Sequence, residues 1–382
     1  MGLAERARVR AVLLAGLFLG CSSSHPPGGE PDASGPPRAD APPGAPDAQV
    51  SVPDAAPTAR FACGLPRPAG AQAPEPPPPP FAGCPTLAAG YNTITSTGNE
   101  RQFLLVLPAD PVPGESYPVL FMWHWLGGDA NAFFTRGSVQ EAADEQRFIA
   151  VLPDSKGATV LGTSFDTRWP FDITQSSGRM NEEFAFFDDM LACVEQQFMI
   201  NESCVSSIGV SAGALFTDQL AQARSTTLAN FVSLSGGVGA TIIKPWGHPP
   251  RKLPGIVLWG GDGPPAQDGV KDILGCAGLG MDFSVASKTL EQALGADGNF
   301  YVECKHNCGH VEPPIDAPMG ESKYAGIWEF AMDHPFWLQA GTSPYQTDGL
   351  PATLPPWCGI GANSCTPRSG GGCPAAENPC TN

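Results

Sequence analysis

The stretch VSSIGVSAGAL, residues 205–215, is the most informative part of the chain. An apolar run at 205–210 is followed by a helix-forming segment from Ala212, and the pattern Gly-x-Ser-x-Gly lies at their junction, 209–213. In a chain with 45 glycines those five letters alone are weak evidence. A strand, a sharp turn and a helix are, however, the setting in which such a serine projects above a sheet as a nucleophile. We therefore predict that Ser211 is a catalytic nucleophile; the alternative is a purely structural turn.

Around this stretch, strand-like and helix-like segments alternate. Continuous apolar strands separated by helices are typical of a mostly parallel sheet that is covered on both faces, so we predict an α/β fold. Apolar, β-branched or aromatic runs predict strands at 102–108, 117–125, 148–153, 205–210, 230–235, 255–260 and 299–304, and the segments between them predict helices at 139–146, 181–198, 212–224, 283–294 and 323–333.

A serine hydroxyl needs a base that takes its proton, and in this kind of fold the histidine comes last in chain order. Of the six histidines, His306 and His310 follow the last predicted strand, in the stretch ECKHNCGHVEPP at 303–314. We predict that His310 is the general base. His306 is interpreted as a loop residue or as a contact that supports the site.

The alternation of Cys304, His306, Cys308 and His310 also raises the hypothesis of a metal site. On an extended strand, residues two apart lie roughly 6.6 Å apart, so four such side chains cannot surround one ion. The N-terminus predicts that this protein is exported, and the thiols of exported proteins favour disulfides. We therefore expect no metal here, and we expect Cys304 and Cys308 to bond to each other or to Cys276.

The third catalytic residue should be a carboxylate that follows the next-to-last strand and orients the imidazole. The predicted strand 255–260 ends in WGGDG, which makes Asp262 the first candidate. Asp268 and Asp282 lie within reach of the same loop and stay open as alternatives.

Two backbone amides should form the oxyanion hole. One is that of Ala212, directly after the serine. The other should come from the loop after the second predicted strand, HWLGG at 124–128, where Leu126 is the preferred donor. The alternative interpretation of HWLGG is a plain glycine turn.

The N-terminus predicts export. Residues 1–20 contain three arginines and then a short apolar run, which is typical of a signal peptide, and roughly 20 apolar residues would be needed to span a bilayer. Cys21 directly after this run resembles the lipidated cysteine of bacterial lipoproteins; the alternative is an ordinary cleaved signal. We expect a protein anchored by lipid in the bacterial cell envelope, or secreted. If Cys21 of the 12 cysteines is lipidated, an odd number remains, which implies a free thiol or an intermolecular bridge.

Composition changes along the chain predict five segments. They are a lipoprotein-type signal peptide (1–20), a disordered Pro/Ala/Gly-rich tether (21–60), a lead-in bracketed by cysteines (61–89), the catalytic domain (90–345) and a Gly/Pro/Cys-rich tail held by disulfides (346–382).

The charge balance excludes one class of partner. The formal net charge is −17, whereas a protein that binds nucleic acid by charge needs clustered Lys and Arg. We expect no nucleic acid partner, and contact with a membrane only through the lipid anchor.

With these motifs assembled, the part of the chain from about residue 90 to 338 resembles the α/β-hydrolase serine esterases, and among them secreted polyhydroxybutyrate depolymerases, feruloyl esterases and acetylxylan esterases. The segments that carry the resemblance are VLFMWHWLGG, EFAFFDDMLACVEQQFMINESCV, IGVSAGAL, IVLWGGD and ECKHNCGHVEPP.

The resemblance implies hydrolysis of carboxylic esters, in small or polymeric substrates, through an acyl-enzyme and without a metal or organic cofactor. It also implies a disulfide between Cys193 and Cys204. The chain departs from the family in two places: Trp125 replaces the family's glycine, and the loop DGPPAQDGVKD at 262–272, which should carry the acid, is uncommon. These departures motivate the alternative of a non-catalytic surface lipoprotein that uses the same scaffold as a binding module.

Overall fold

The computed structural model describes residues 60–160, 163–165, 169–240, 242–262, 270–276 and 279–376. The predicted signal peptide, the lipidation site Cys21 and nearly all of the predicted tether lie outside the described residues, as does Asp268. No helix in the described ranges is long and apolar enough to cross a membrane.

Strands and helices alternate along the described chain. The strands are β1 (Gly90–Ser96), β2 (Asn99–Val106), β3 (Tyr117–Trp123), β4 (Ile149–Pro153), β5 (Ala158–Val160), β6 (Thr163–Phe165), β7 (Ile200–Val210), β8 (Asn230–Leu234), β9 (Gly255–Trp259), β10 (Ile273–Cys276), β11 (Leu279–Asp282), β12 (Tyr301–Lys305) and β13 (Cys358–Ile360). The helices are α1 (Ala130–Arg136), α2 (Val139–Gln146), α3 (Ser177–Gln197), α4 (Ala212–Ala223), α5 (Phe283–Asp297), α6 (Ala325–Asp333) and α7 (Tyr345–Asp348).

The described strands form one large sheet and two small hairpins. The sheet has nine strands in the order β1-β2-β4-β3-β7-β8-β9-β12-β13. From β4 to β12 all neighbours are parallel, whereas β1, β2 and β13 pair antiparallel at the two edges. The predicted mostly parallel sheet is confirmed, and the fold is that of the α/β hydrolases.

Helices cover both faces of this sheet. Leu120 and Met122 of β3 point to one face, where they join the apolar cluster that α1, α2 and α6 cover. Phe121 and Trp123 point to the other face, which α3, α4 and α5 cover. Because both faces are buried, β3, β4 and β9 are buried at every position and their sequences are almost entirely apolar.

Disulfides attach the segments before and after this core. Cys63 bonds to Cys204 in β7, and Cys84 bonds to Cys193 in α3. The pairing of Cys193 with Cys204 that the resemblance implied is therefore wrong. Each of the two cysteines instead binds a residue of the lead-in, which is held against the core at both of its ends.

Two further disulfides correct the prediction for the histidine loop. Cys304 bonds to Cys358 in β13, and Cys308 bonds to Cys373, so they bond neither to each other nor to Cys276. The tail is thus not closed on itself but tied to the body of the protein. Among the described cysteines, Cys365 is a free thiol.

Candidate active site

Ser211 lies at the turn between β7 and α4, with φ 55° and ψ −118°. A positive φ is uncommon for a residue with a side chain and costs of order 1–3 kcal/mol, so surrounding contacts must hold it in place. Its amide donates to the Leu234 carbonyl at 2.8 Å, and its own carbonyl accepts from the Leu215 amide at 2.9 Å. The turn is thereby fixed to the neighbouring strand and to the helix that it begins.

The two glycines that flank the serine leave no room for side chains. A Cβ on Gly209 would lie 2.2 Å from the Gly213 carbonyl oxygen, and a Cβ on Gly213 would lie 2.0 Å from the Trp123 carbonyl oxygen. Both obstacles are backbone atoms, which cannot rotate away. The pattern Gly-x-Ser-x-Gly is therefore required by the packing of α4 against β7 and the end of β3.

The structure brings Ser211 together with His310, as the sequence predicted. Ser211 Oγ lies 2.8 Å from His310 Nε2. The loop that carries the histidine is fixed to the end of β9 because the Gly309 amide donates to the Gly260 carbonyl at 2.9 Å. The ring of Phe283 stacks on the imidazole with centroids 4.1 Å apart and limits its rotation.

The carboxylate at this histidine is Asp272. Its Oδ1 lies 2.7 Å from His310 Nδ1, while its Oδ2 accepts from the Gly260 amide at 2.8 Å and from the Ser235 hydroxyl at 2.9 Å. The side chain is fully buried. Burial alone would raise the pKa of the Asp272 carboxyl, but the charge and hydrogen bond of His310 and the bonds from Gly260 and Ser235 hold that pKa below its usual range.

These contacts fix the protonation pattern of the imidazole. An ionised carboxylate only accepts hydrogen bonds, so His310 Nδ1 carries the proton that it donates to Asp272. In the neutral ring, Nε2 is then a free acceptor that faces the Ser211 hydroxyl. The arrangement can take the serine proton and stabilise the charge that appears on the ring.

The prediction of Asp262 as the orienting acid is wrong. Asp262 forms ion pairs with Lys288 and, at 3.0 Å, with Lys305. The open alternative Asp282 is also excluded, because it caps α5 by accepting from the Val285 amide at 3.1 Å and pairs with Lys271. Both carboxylates are therefore used in contacts away from the imidazole.

Sequence reasoning missed Asp272 and Ser235. Asp272 lies beside the residues that follow β9, because its amide donates to the Gly261 carbonyl at 3.0 Å. A local signal for Asp272 is that it directly precedes the apolar pair Ile273 and Leu274. Nothing in the sequence marks Ser235, which also has a positive φ, 52°.

The predicted oxyanion donors both lie at the site. Ala212 is the first residue of α4, so its N–H has no acceptor within the helix. Leu126 lines the same cavity as Ser211 and His310. The ring of Trp125, which replaces the expected glycine, packs along the cavity wall with the Arg136 guanidinium 4.6 Å above it.

The neighbouring histidines support the loops rather than reach the serine. His124 is buried, and its Nδ1 lies 2.8 Å from the Trp125 carbonyl oxygen. His306 is also buried, and its Nδ1 accepts from the Cys308 amide at 3.2 Å. Burial lowers the pKa of each of these two rings to about 4. Because Cys304 and Cys308 are both in disulfides, they do not offer thiolates to a metal.

A cavity of about 430 Å³ opens beside Ser211. Most of its wall is apolar, including the aromatic side chains of Trp125, Phe133, Tyr324 and Trp328. Its polar lining includes Glu312, whose carboxylate accepts from the Tyr324 hydroxyl at 2.7 Å and pairs with Lys323. Burial opposes ionisation of Glu312, but these two hydrogen bonds hold its pKa below the usual range. Because its wall is mostly apolar and aromatic, the cavity can accept a flat apolar group.

Comparison with known proteins agrees with this fold. No protein-family model matches the chain. It is 28% identical over 165 residues to a probable feruloyl esterase C of Aspergillus terreus, and 28% identical over 164 residues to feruloyl esterase D of Neurospora crassa; each match covers 41% of this chain and 54% of the relative. The matched part thus spans about half the length of these curated relatives.

Solved structures extend the likeness over more of the chain. The structure of sOPH superposes with a TM-score of 0.59 and 18% identity, and covers 76% of this chain and 99% of sOPH. That of pOPH gives a TM-score of 0.56 and 17% identity, with 73% and 96% covered. At such identities a structural match establishes the fold. The chain is an α/β-hydrolase-fold protein that resembles feruloyl esterases.

Proposed function

We propose that this protein is an extracytoplasmic serine esterase that hydrolyses carboxylic esters through an acyl-enzyme. The observation that carries the proposal is the hydrogen-bonded chain from Ser211 through His310 to Asp272, with 2.8 Å from Oγ to Nε2 and 2.7 Å from Nδ1 to Oδ1. Ser211 and His310 line a cavity that a substrate can enter. The likeness to feruloyl esterases supports ester hydrolysis.

In the first half of the reaction, Ser211 Oγ attacks the ester carbonyl carbon while its proton passes to His310 Nε2. The amides of Ala212 and Leu126 stabilise the negative charge on the carbonyl oxygen. Asp272 stabilises the imidazolium. When the tetrahedral intermediate breaks down, the C–O bond to the alcohol is cleaved, and the alcohol leaves with the proton from Nε2.

In the second half, a water molecule attacks the acyl-enzyme and gives its proton to His310 Nε2. The bond to Ser211 Oγ then breaks, the serine regains its proton from the imidazolium, and the carboxylic acid is released. The reaction consumes one ester and one water molecule and releases one alcohol and one carboxylic acid.

The apolar, aromatic wall favours an ester with a flat or apolar acyl group, such as a feruloyl or hydroxyalkanoate ester, over a strongly charged one. Acetylated polysaccharide is the third substrate class in this proposal. Its acetyl group would enter the cavity, and the polysaccharide would remain outside.

Four disulfides among the described residues support a location outside the cytoplasm, because such bonds persist in oxidising compartments. Together with the signal-like N-terminus, they support export, with lipidation of Cys21 as the proposed anchor.

The experiment compares the purified protein with its Ser211→Ala variant on p-nitrophenyl butyrate. The original chain should hydrolyse the ester and the variant should be slower by at least about 10³-fold, because the nucleophile is lost. Equal rates would overturn the proposal. Covalent labelling by a fluorophosphonate in the original chain only would separate an enzyme from a non-catalytic binding module.

A further inference from the structure

The segment after α7 runs along the strand and loop that lead to His310. β13 pairs antiparallel with β12, with Cys304 opposite Cys358. The Arg368 amide donates to the Lys305 carbonyl at 2.9 Å, and the Arg368 guanidinium donates to Asn307 Oδ1 at 2.7 Å. The segment therefore contacts β12 at β13, and contacts Lys305 and Asn307 again at Arg368.

The contact continues to the active site. Asn307 donates from its side-chain nitrogen to the Gly370 carbonyl at 2.9 Å, and the disulfide from Cys308 to Cys373 follows three residues later in the tail. Cys308 lies two residues before His310. The tail is thus covalently attached to the loop that holds the imidazole.

Directly after this disulfide the tail reaches the cavity. Pro374 and Ala375 belong to its lining, together with Ser211, His310 and Val311. Pro374 is half-buried and has a fixed φ, and Ala375 has a short, exposed side chain.

We propose that the tail supplies a specificity-determining wall of the cavity, in which Pro374 and Ala375 limit the size of the acyl group that can be bound at Ser211. The inference rests on the proposed esterase function. The acyl group stays attached to the serine while the alcohol leaves and water enters, so the acyl group is the part of the substrate that the walled cavity must hold.

The test compares three chains: the intact one, one that ends at Ala376 and one that ends at Cys373. Both shortened chains lose residues 377–382, whereas only the second also loses residues 374–376, which include Pro374 and Ala375, and both keep the Cys308–Cys373 pair. The measurement is kcat/KM for p-nitrophenyl acetate and p-nitrophenyl octanoate, which share one leaving group.

For the chain that ends at Cys373, the octanoate-to-acetate ratio should rise roughly tenfold, because a steric limit on an apolar group is removed. For the chain that ends at Ala376, the ratio should stay within about twofold of the intact chain, since its cavity wall is complete. Circular dichroism and thermal unfolding verify that each chain is folded.

The full-length variant Ala375→Trp tests the same wall from the other side and does not depend on a shortened chain folding. Its octanoate-to-acetate ratio should fall roughly tenfold, because a larger side chain fills part of the cavity. An unchanged ratio in this variant, or in the folded chain that ends at Cys373, would overturn the inference while the proposed function stands. Absence of hydrolysis by the intact chain would overturn the proposed function and the inference with it.

Discussion

Replacement of Asp272 by Asn should lower kcat about 10⁴-fold, the cost of holding the histidine in the wrong tautomer. Asp272 now accepts three hydrogen bonds, from His310 on one oxygen and from Gly260 and Ser235 on the other. An Asn side chain has only one oxygen. The Gly260 amide can only donate, so that oxygen must stay beside it, and the Asn NH₂ then faces His310 Nδ1.

His310 Nδ1 would then have to accept, and the ring would carry its proton on Nε2, against the Ser211 hydroxyl that it must deprotonate. A 10⁴-fold loss corresponds to about 5.5 kcal/mol in the barrier. KM should change little, because Asp272 does not line the cavity.

The chain offers a matched control in Asp262→Asn. Asp262 pairs with Lys288 and Lys305 in partly exposed positions, and such pairs contribute about 0–1 kcal/mol to stability. We expect this variant to keep its kcat within about twofold, since it removes no contact of the imidazole. The assay is steady-state hydrolysis of p-nitrophenyl butyrate by both variants, with thermal unfolding as a control for folding. A 10⁴-fold loss in Asp262→Asn beside an active Asp272→Asn would refute the reasoning.

Two further predictions concern stability. Gly213→Ala should lower the free energy of unfolding by about 3 kcal/mol, because its Cβ would lie 2.0 Å from the Trp123 carbonyl oxygen. The control Gly280→Ala should be near neutral, because no atom lies within 4 Å of the added Cβ. Equal urea midpoints for the two variants would contradict this. Burial raises the pKa of Asp218 to about 7, so the folded protein keeps a proton that the unfolded chain releases above about pH 4, and stability should fall from about pH 4 to 7. Asp218→Asn should lack this fall. Its free energy of unfolding, measured with urea, should therefore exceed that of the original chain increasingly from pH 4, by up to about 4 kcal/mol at pH 8. Identical pH profiles of the two chains would disprove the assignment.

Most of the sheet could be predicted because its signal is local. The predicted strands at 117–125, 230–235 and 255–260 correspond to β3, β8 and β9 within two residues at each end. β1 was missed because residues that it buries include the polar Asn92 and Ser96 beside Ile94, so its inward face does not read as apolar. β13 was missed because three residues carry no periodic pattern, and because its contact with β12 is distant in sequence, with Cys358 lying 54 residues after Cys304.

The site residues were likewise predicted where their signal is local and missed where it is not. Ser211 is marked by two glycines whose role is steric and local, and His310 follows from chain order and the loop after the last parallel strand. Asp272 could not be identified, because its position depends on a contact with Gly261 that is not local in the sequence. Disulfide partners are equally non-local: Cys63 and Cys204 are separated by 141 residues, and spacing along the chain contains no information about that approach.

The two disulfides of the tail also bear on the response of the protein to proteolysis. Between Cys358 and Cys373 the chain is largely exposed and rich in glycine, which makes it the natural place for a nick. Because Cys358 is bonded to Cys304 and Cys373 to Cys308, both ends created by such a cut would remain covalently attached to the protein. A single cleavage there would therefore leave a two-chain molecule whose second chain still carries Pro374 and Ala375, instead of releasing a fragment.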